Sequence, residues 1–186
     1  MSDPEALGGL KVVSGGHVVW HTRGWFNATL ELLDGMTVLA TLVPQKGLGH
    51  PWSATMGSHR WTFTETDRRT SEDPLAARAV DDEGVEVATF RSAMRKYRGP
   101  TKRGTFSLPD GTSYQWRKPK RWGRSMIMKT QEGEVVLTLA PTGRLIDKHQ
   151  DQVIFGAAAV EVKALPLLVC FADYVFEMIN GRNIRK

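Results

Sequence analysis

Leu165-Pro-Leu-Leu-Val-Cys-Phe-Ala-Asp-Tyr-Val-Phe-Glu-Met-Ile179 is the stretch that decides the fold of this chain. Pro166 stands where the first turn of a helix tolerates proline, and Gly181 stands where a helix usually ends, so a helix is predicted over about 165–180. Apolar residues cover most of its circumference, and such a helix is either buried in protein or inserted in a membrane. A bilayer span needs roughly 20 apolar residues, whereas the uninterrupted apolar run is Ala164–Ala172. We therefore predict a buried helix and no transmembrane segment.

The chain before residue 164 consists mainly of short alternating runs, separated by turns in which an acidic residue precedes glycine. Such pairs are typical of β-hairpins, because glycine accepts the positive φ that these turns require. The alternation indicates antiparallel strands with one apolar face each. The four turns are Asp34-Gly35, Glu83-Gly84, Asp110-Gly111 and Glu132-Gly133. Further strands are predicted near Val18–Trp20, Trp61–Thr64, Leu145–Lys148 and Gln152–Lys163.

The strands and the helix can bury each other's apolar surfaces. The apolar faces of the strands must pack against other apolar groups, and an apolar helix of about 15 residues, ~22 Å long, must be enclosed by other parts of the protein. Closing the sheet also removes its exposed edges. The predicted fold class is therefore mainly β, an antiparallel β-barrel of about 12 strands closed around the C-terminal helix, and we expect the helix to leave no cavity. Residues 1–10 are expected to be a flexible tail, residues 11–181 a single barrel domain, and residues 182–186 a basic tail.

Charge is distributed unevenly along the 186 residues, whose net charge is +5. The segment from Arg91 to Arg124 holds 11 basic residues and one acid, Asp110, whereas the rest of the chain holds 14 bases and 19 acids. A basic run interleaved with aromatic residues can bind a membrane interface or nucleic acid, and it can also be a solvated connection between strands. The candidate contact residues are Arg95, Lys96, Arg98, Lys102, Arg103, Arg117, Lys118, Lys120, Arg121, Trp122 and Arg124.

Motifs for catalysis and cofactor binding are not found in the sequence. No Gly-x-Ser-x-Gly elbow or phosphate-binding glycine loop occurs, and the single cysteine, Cys170, excludes an internal disulfide. His17 and His21 are four residues apart, but in a strand that spacing is ~13 Å, too far for one zinc ion. Residues 1–10 do not resemble a secretory signal. We expect no metal, no cofactor and no catalytic residues, which favours a non-enzymatic protein.

The order of these elements resembles the tubby C-terminal-like superfamily, which includes the tubby proteins, the plant LURP-one-related proteins and the phospholipid scramblases. The segments Trp61–Phe63, Leu108–Gly111 and Leu165–Leu168 are similar to those of small bacterial members, and the resemblance runs from about Trp20 to Asn180. It implies a 12-stranded barrel threaded by a hydrophobic helix, with non-enzymatic work at membranes through surface Lys and Arg. The chain has neither the acidic calcium-binding segment nor the cysteine cluster of scramblases, so lipid scrambling is not implied.

Charge segregation and this resemblance together lead to an expectation about function. We expect a cytoplasmic barrel that associates peripherally with anionic phospholipid or phosphoinositide at the inner face of the membrane. One alternative is a nucleic-acid-binding β-barrel that uses the same basic residues. The other is a small-ligand binder, or an enzyme of unknown activity, that uses the mouth of the barrel.

Overall fold

A computed structural model describes residues 12, 14–23, 29–46, 51–66, 74–95, 99–119, 124–141 and 150–180, with the backbone alone for residues 94, 95, 99–101 and 180. The described elements are twelve strands, a short 3-10 helix and one α-helix. The elements in chain order are β1 (His17–Arg23), β2 (Thr29–Asp34), β3 (Thr37–Pro44), β4 (Trp52–Met56), β5 (His59–Glu65), β6 (Ala76–Asp81), β7 (Glu86–Arg95), β8 (Gly99–Ser107), β9 (Ser113–Arg117), β10 (Met126–Lys129), β11 (Val135–Pro141), β12 (Gln150–Phe155), the 3-10 helix (Ala157–Glu161) and α1 (Leu165–Asn180).

The strands form one closed antiparallel barrel. Each strand pairs with its neighbours in the sequence, and β1 pairs with β12 to close the barrel, with Trp20 opposite Asp151. The fold class predicted from the sequence is therefore confirmed. Because the strands are pleated, successive side chains alternate between the interior and the outer surface. In β4, for example, Trp52, Ala54 and Met56 are buried while the two residues between them are partly exposed.

The helix α1 occupies the interior of the barrel. Every residue from Leu165 to Glu177 is buried. The Phe171 ring lies 5.1 Å from that of Phe63 in β5 and 5.4 Å from that of Phe106 in β8, measured between ring centroids. One helical side chain thus contacts two separate sectors of the wall. The helix supplies the apolar surface against which the apolar faces of the twelve strands pack.

The antiparallel order gives the barrel two different ends. Tight turns join β2 to β3, β4 to β5, β6 to β7, β8 to β9 and β10 to β11, and all of these turns lie at one end, which we call the hairpin end. The odd-numbered strands finish at the opposite end, which we call the loop end. β12 runs towards the hairpin end, so α1 enters there and runs back through the barrel. Its C-terminal part therefore lies at the loop end.

The four turns predicted from acid–glycine pairs are confirmed. Each has a glycine at positive φ: Gly35 at 59°, Gly84 at 82°, Gly111 at 87° and Gly133 at 93°. A fifth turn, with Gly57 at φ 57°, was not predicted because no acidic residue precedes that glycine. Two carboxylates stabilise their turns, since Asp81 Oδ1 accepts a hydrogen bond from the Val85 N–H and Asp110 Oδ1 accepts one from the Thr112 N–H, each at 2.8 Å.

The end of β12 differs from the sequence prediction. A strand was expected through Gln152–Lys163, but β12 ends at Phe155 and Ala157–Glu161 forms a 3-10 helix. Alanine has low β propensity, and the chain must turn here to enter the barrel as α1. The predicted helix over about 165–180 is confirmed as Leu165–Asn180. The strand predicted at Leu145–Lys148 and the tails at 1–10 and 182–186 lie outside the described residues.

Candidate anion-binding surface at the loop end

The predicted contact residues belong to the loop-end parts of β7 to β10 and to the segments that join these strands. Arg95 is the last residue of β7, Lys102 and Arg103 lie early in β8, and Arg117 ends β9. Lys118 follows β9 directly, and Arg124 precedes β10 by two residues. The side chain of Arg95 and all of Lys96, Arg98, Lys120, Arg121 and Trp122 lie outside the described part of the chain.

Three of the described cations face the mouth of the barrel. In β9 the side chain of Trp116 points inward, and Lys118 has the same direction two residues later, past the end of the strand. Lys102 lies where the register between β7 and β8 shifts, so strand alternation does not give its direction, and Arg124 precedes β10 by two residues. Lys102, Lys118 and Arg124 nevertheless line one cavity of about 280 Å³, whose other described lining residues are Trp116, Met126, Phe176 and Ile179.

This cavity corrects one expectation from the sequence, which was that the helix leaves no space in the barrel. The helix fills the lumen as far as its last turns, where Phe176 and Ile179 form one side of the cavity. β8, β9 and β10 form the other side. The distance between these strands and the last turns of α1 depends on the position of the helix in the barrel. No local sequence pattern predicts that distance.

The outer wall carries a second group of cations. Arg103 and Arg117 point outward, and Gly104 pairs with Trp116, so these two arginines lie next to each other on adjacent strands. Arg91 of β7 pairs with Thr105 of β8 and belongs to the same outer surface. The three arginines line a shallow groove of about 700 Å³, whose other described lining residues include several neutral hydrogen-bonding side chains and no acid. Sequence reasoning placed Arg91 in the basic segment but not in the contact, and only the strand register shows that it belongs there.

In the sector formed by β8, β9 and β10, the described charges are separated along the barrel axis, whereas elsewhere the loop end also carries acids such as Glu65 and Asp151. Residues 99–107, 113–119 and 124–126 contain five basic residues with described side chains and no acid: Lys102, Arg103, Arg117, Lys118 and Arg124. The hairpin-end segments 34–37, 56–60, 81–86, 107–113 and 129–135 contain two basic residues, Arg60 and Lys129, and eight acidic ones. The eight acidic residues are Asp34, Asp81, Asp82, Glu83, Glu86, Asp110, Glu132 and Glu134.

Topology explains why the acidic residues are collected at one end. Turns of an up-and-down barrel alternate between its two ends, and all four acid–glycine turns join an even-numbered strand to the next odd-numbered one. Carboxylates accept hydrogen bonds from turn N–H groups, so the acidic hairpin end follows from turn chemistry. The basic loop end has no comparable structural cause, which makes it the better candidate for function.

Other chemical groups of interest are the candidate metal ligands, the histidines and the cysteine. No group of three or more His, Cys, Asp or Glu there has the arrangement of a metal site. The His59 ring stacks on that of Trp61 at a centroid distance of 5.6 Å. Cys170 is completely buried, and burial raises the pKa of its thiol far above the ordinary value, so it remains protonated.

The helices of the described residues include none with the length and apolar character needed to cross a bilayer. The surface that remains for functional interpretation is therefore the loop end, with the basic groove on its outer wall and the cavity at its mouth. Comparison of the chain with family models, with curated proteins and with solved structures found no match.

Proposed function

We propose that this barrel is a non-enzymatic protein that binds anionic phospholipid membranes peripherally, with its loop end towards the lipid. The observation that carries the proposal is the separation of charge in one sector: the described loop-end residues of β8 to β10 include five bases and no acid, whereas the hairpin turns carry eight acids. A planar anionic surface attracts one end and repels the other, so the charge pattern favours an end-on orientation. The resemblance to the tubby-like group supports the same function, and in this proposal the protein works at the cytoplasmic face of a membrane.

The number of basic residues allows an estimate of the affinity for an anionic membrane. Each Lys or Arg near an anionic leaflet contributes about 1 kcal/mol, so the five described cations between residues 99 and 126 would contribute about 5 kcal/mol. That corresponds to a binding constant on the order of 10⁴ M⁻¹. The association is reversible and depends on salt, because charges are screened over about 8 Å at physiological ionic strength.

Liposome flotation tests the proposal. We expect the protein to float with vesicles that contain phosphatidylserine or phosphoinositide and to stay behind with neutral phosphatidylcholine vesicles. The double variant Arg103→Ser/Arg117→Ser removes two exposed cations and should weaken binding roughly thirtyfold. The matched control Arg60→Ser/Lys163→Ser removes two exposed cations away from the loop end and should change little. Equal binding to neutral vesicles, or equal losses in both double variants, would contradict the proposal.

A second measurement tests the orientation. Cys170 is inaccessible, so one introduced cysteine can carry a fluorescent label without background. Met36 is 99% exposed at the hairpin end, and Lys46 is exposed at the loop end just after β3. A lipid-borne quencher in anionic vesicles should quench a label on Lys46→Cys much more than one on Met36→Cys. Equal quenching would show that the barrel does not bind end-on.

Nucleic acid is the alternative ligand, and the arginine groove is the observation that favours it. Arg91, Arg103 and Arg117 can each form paired hydrogen bonds with a phosphate. Against this alternative, Trp116 is the one aromatic residue among the described residues that line the groove, and at 1% exposed it cannot stack on a base. Fluorescence anisotropy with a labelled 12-nucleotide single strand at physiological salt distinguishes the two. Binding of the strand without binding of anionic vesicles would replace our proposal with the alternative.

A further inference from the structure

The cavity at the mouth of the barrel is surrounded by hydrogen-bond donors. Lys102, Lys118 and Arg124 line it, and their side chains carry donors and no acceptor. The Trp116 side chain also lines the cavity and is 1% exposed, and its Nε1 donor has no hydrogen-bond acceptor in the described part of the chain. Buried donors normally have acceptors, because an unpaired donor is costly. An acceptor oxygen of a ligand would pair the Trp116 N–H, and a negative charge on the same ligand would suit the positive lining.

The other described residues of the lining are apolar. They are Met126, Phe176 and Ile179, and none of the described residues that line the cavity is acidic. Its volume of about 280 Å³ is that of about nine water molecules at ~30 Å³ each. Met126 and Phe176 are almost completely buried, so they offer a small contact area. The cavity therefore suits a compact apolar group attached to an anionic head, and not a long lipid chain.

We propose that this cavity binds a small organic anion of about ten non-hydrogen atoms, with a carboxylate or phosphate head and one short apolar group. Lys102, Lys118 and Arg124 hold the head, and the apolar group lies against Met126 and Ile179. The indole N–H of Trp116 donates to the ligand. This binding does not require a membrane, although Lys102, Lys118 and Arg124 are also among the loop-end cations of the membrane proposal.

Two-dimensional ¹H–¹⁵N NMR of the full chain tests the proposal without vesicles, through the indole N–H signals of its six tryptophans. Trp116→Phe identifies the Trp116 signal. Trp20 provides an internal control, because it is also 1% exposed and its Nε1 also lacks an acceptor among the described residues, but it does not line the cavity. The probes are octanoate and octyl phosphate, with acetate and inorganic phosphate as heads alone and octan-1-ol as the apolar group alone.

We expect octanoate or octyl phosphate to shift the Trp116 signal in a saturable way and to leave the Trp20 signal in place. Comparing these two probes shows which head the cavity prefers. The double variant Lys118→Ser/Arg124→Ser should weaken binding at least tenfold, because both charged donors are lost. The matched variant Arg60→Ser/Lys163→Ser should bind as the natural chain does, and Lys118→Arg/Arg124→Lys should retain binding and so confirm that charge is what matters.

Three results would overturn the proposal. The first is that no probe shifts the Trp116 signal. The second is that acetate or inorganic phosphate binds as tightly as the eight-carbon probe with the same head, which would make the site a general anion site. The third is that octan-1-ol binds as tightly as octanoate, which would show that the cations have no role. Octanoate binding and flotation with anionic vesicles are both measured for Arg103→Ser/Arg117→Ser, because these two arginines are not among the described residues that line the cavity, so that failure of this proposal and failure of the membrane proposal are seen separately.

Discussion

Replacing Phe171 with alanine should destabilise the protein severely, because this ring lies at the centre of the contact between helix and barrel. Phe171 is completely buried, and its ring contacts those of Phe63, Phe106 and Tyr174 at centroid distances of 5.1, 5.4 and 6.3 Å. A buried Phe→Ala change costs about 3–5 kcal/mol, and each aromatic pair contributes a further ~0.5–1.5 kcal/mol. We expect the free energy of unfolding to fall by about 4–5 kcal/mol.

Equilibrium unfolding in urea measures this change directly, and thermal unfolding provides a second measurement. For a domain of this size each kcal/mol corresponds to about 2–4 °C, so the midpoint should fall by roughly 10–15 °C. Phe171→Leu keeps most of the volume and should cost less than half as much. Val160→Ala, at a residue that is 49% exposed, is the control and should change the free energy by less than about 0.5 kcal/mol.

A small loss of stability in Phe171→Ala would refute the central position of this ring. If Phe171→Ala lowered the free energy of unfolding by less than about 1 kcal/mol, the ring could not be enclosed by the barrel wall. A double-mutant cycle with Phe63→Ala localises the contact, because residues that touch should show a coupling of at least ~0.5 kcal/mol. Additive losses would place Phe171 and Phe63 apart and contradict the central position of the helix.

Other predictions follow from the same packing. Gly156→Ala should destabilise by about 3 kcal/mol or more in urea unfolding, because a Cβ there would overlap the Val135 carbonyl oxygen, which is backbone and cannot rotate away. Burial raises the pKa of Cys170 above 9.0 and that of Tyr174 above 10.0. The unfolded chain therefore loses these protons first, and stability should fall above pH 9 by up to ~1.4 kcal/mol per pH unit for each group. Cys170→Ala should remove the loss between pH 9 and 10, and an unchanged slope would contradict this assignment. A thiol reagent should label Cys170 only after denaturation, whereas rapid labelling of the folded protein would contradict its burial. Truncation before Ala164 should give an insoluble or unfolded protein, and cooperative melting of a soluble truncation would argue against the barrel core.

The features that could be predicted from the sequence are those with local causes. Asp110-Gly111 predicts its hairpin because the glycine takes positive φ and the carboxylate accepts the Thr112 N–H, both within three residues. The α1 helix was predicted from its apolar circumference and its terminal signals, and the need to bury it led to the closed barrel. The 3-10 helix after β12 was missed, because the turn into the lumen is imposed by closure and not by a local signal.

The grouping of the candidate residues could not be predicted in this way. The sequence indicates one basic segment, but it does not show that Lys102, Lys118 and Arg124 meet at a cavity while Arg103 and Arg117 face outward. Each strand's alternation gives the direction of a side chain, but only the register between strands gives its neighbours. The size of the cavity depends further on the position of α1 within the barrel.

The sequence by itself determined the turns, the apolar face of most strands and the existence of a buried helix, because these depend on residues close together in the chain. The tertiary structure decided that β1 pairs with β12, that the acidic turns share one end and that the basic residues gather at the other. The physical reason is that these arrangements depend on the closure of the barrel between strands far apart in the chain. The order and register of all twelve strands, and not any local motif, then decide which charges become neighbours.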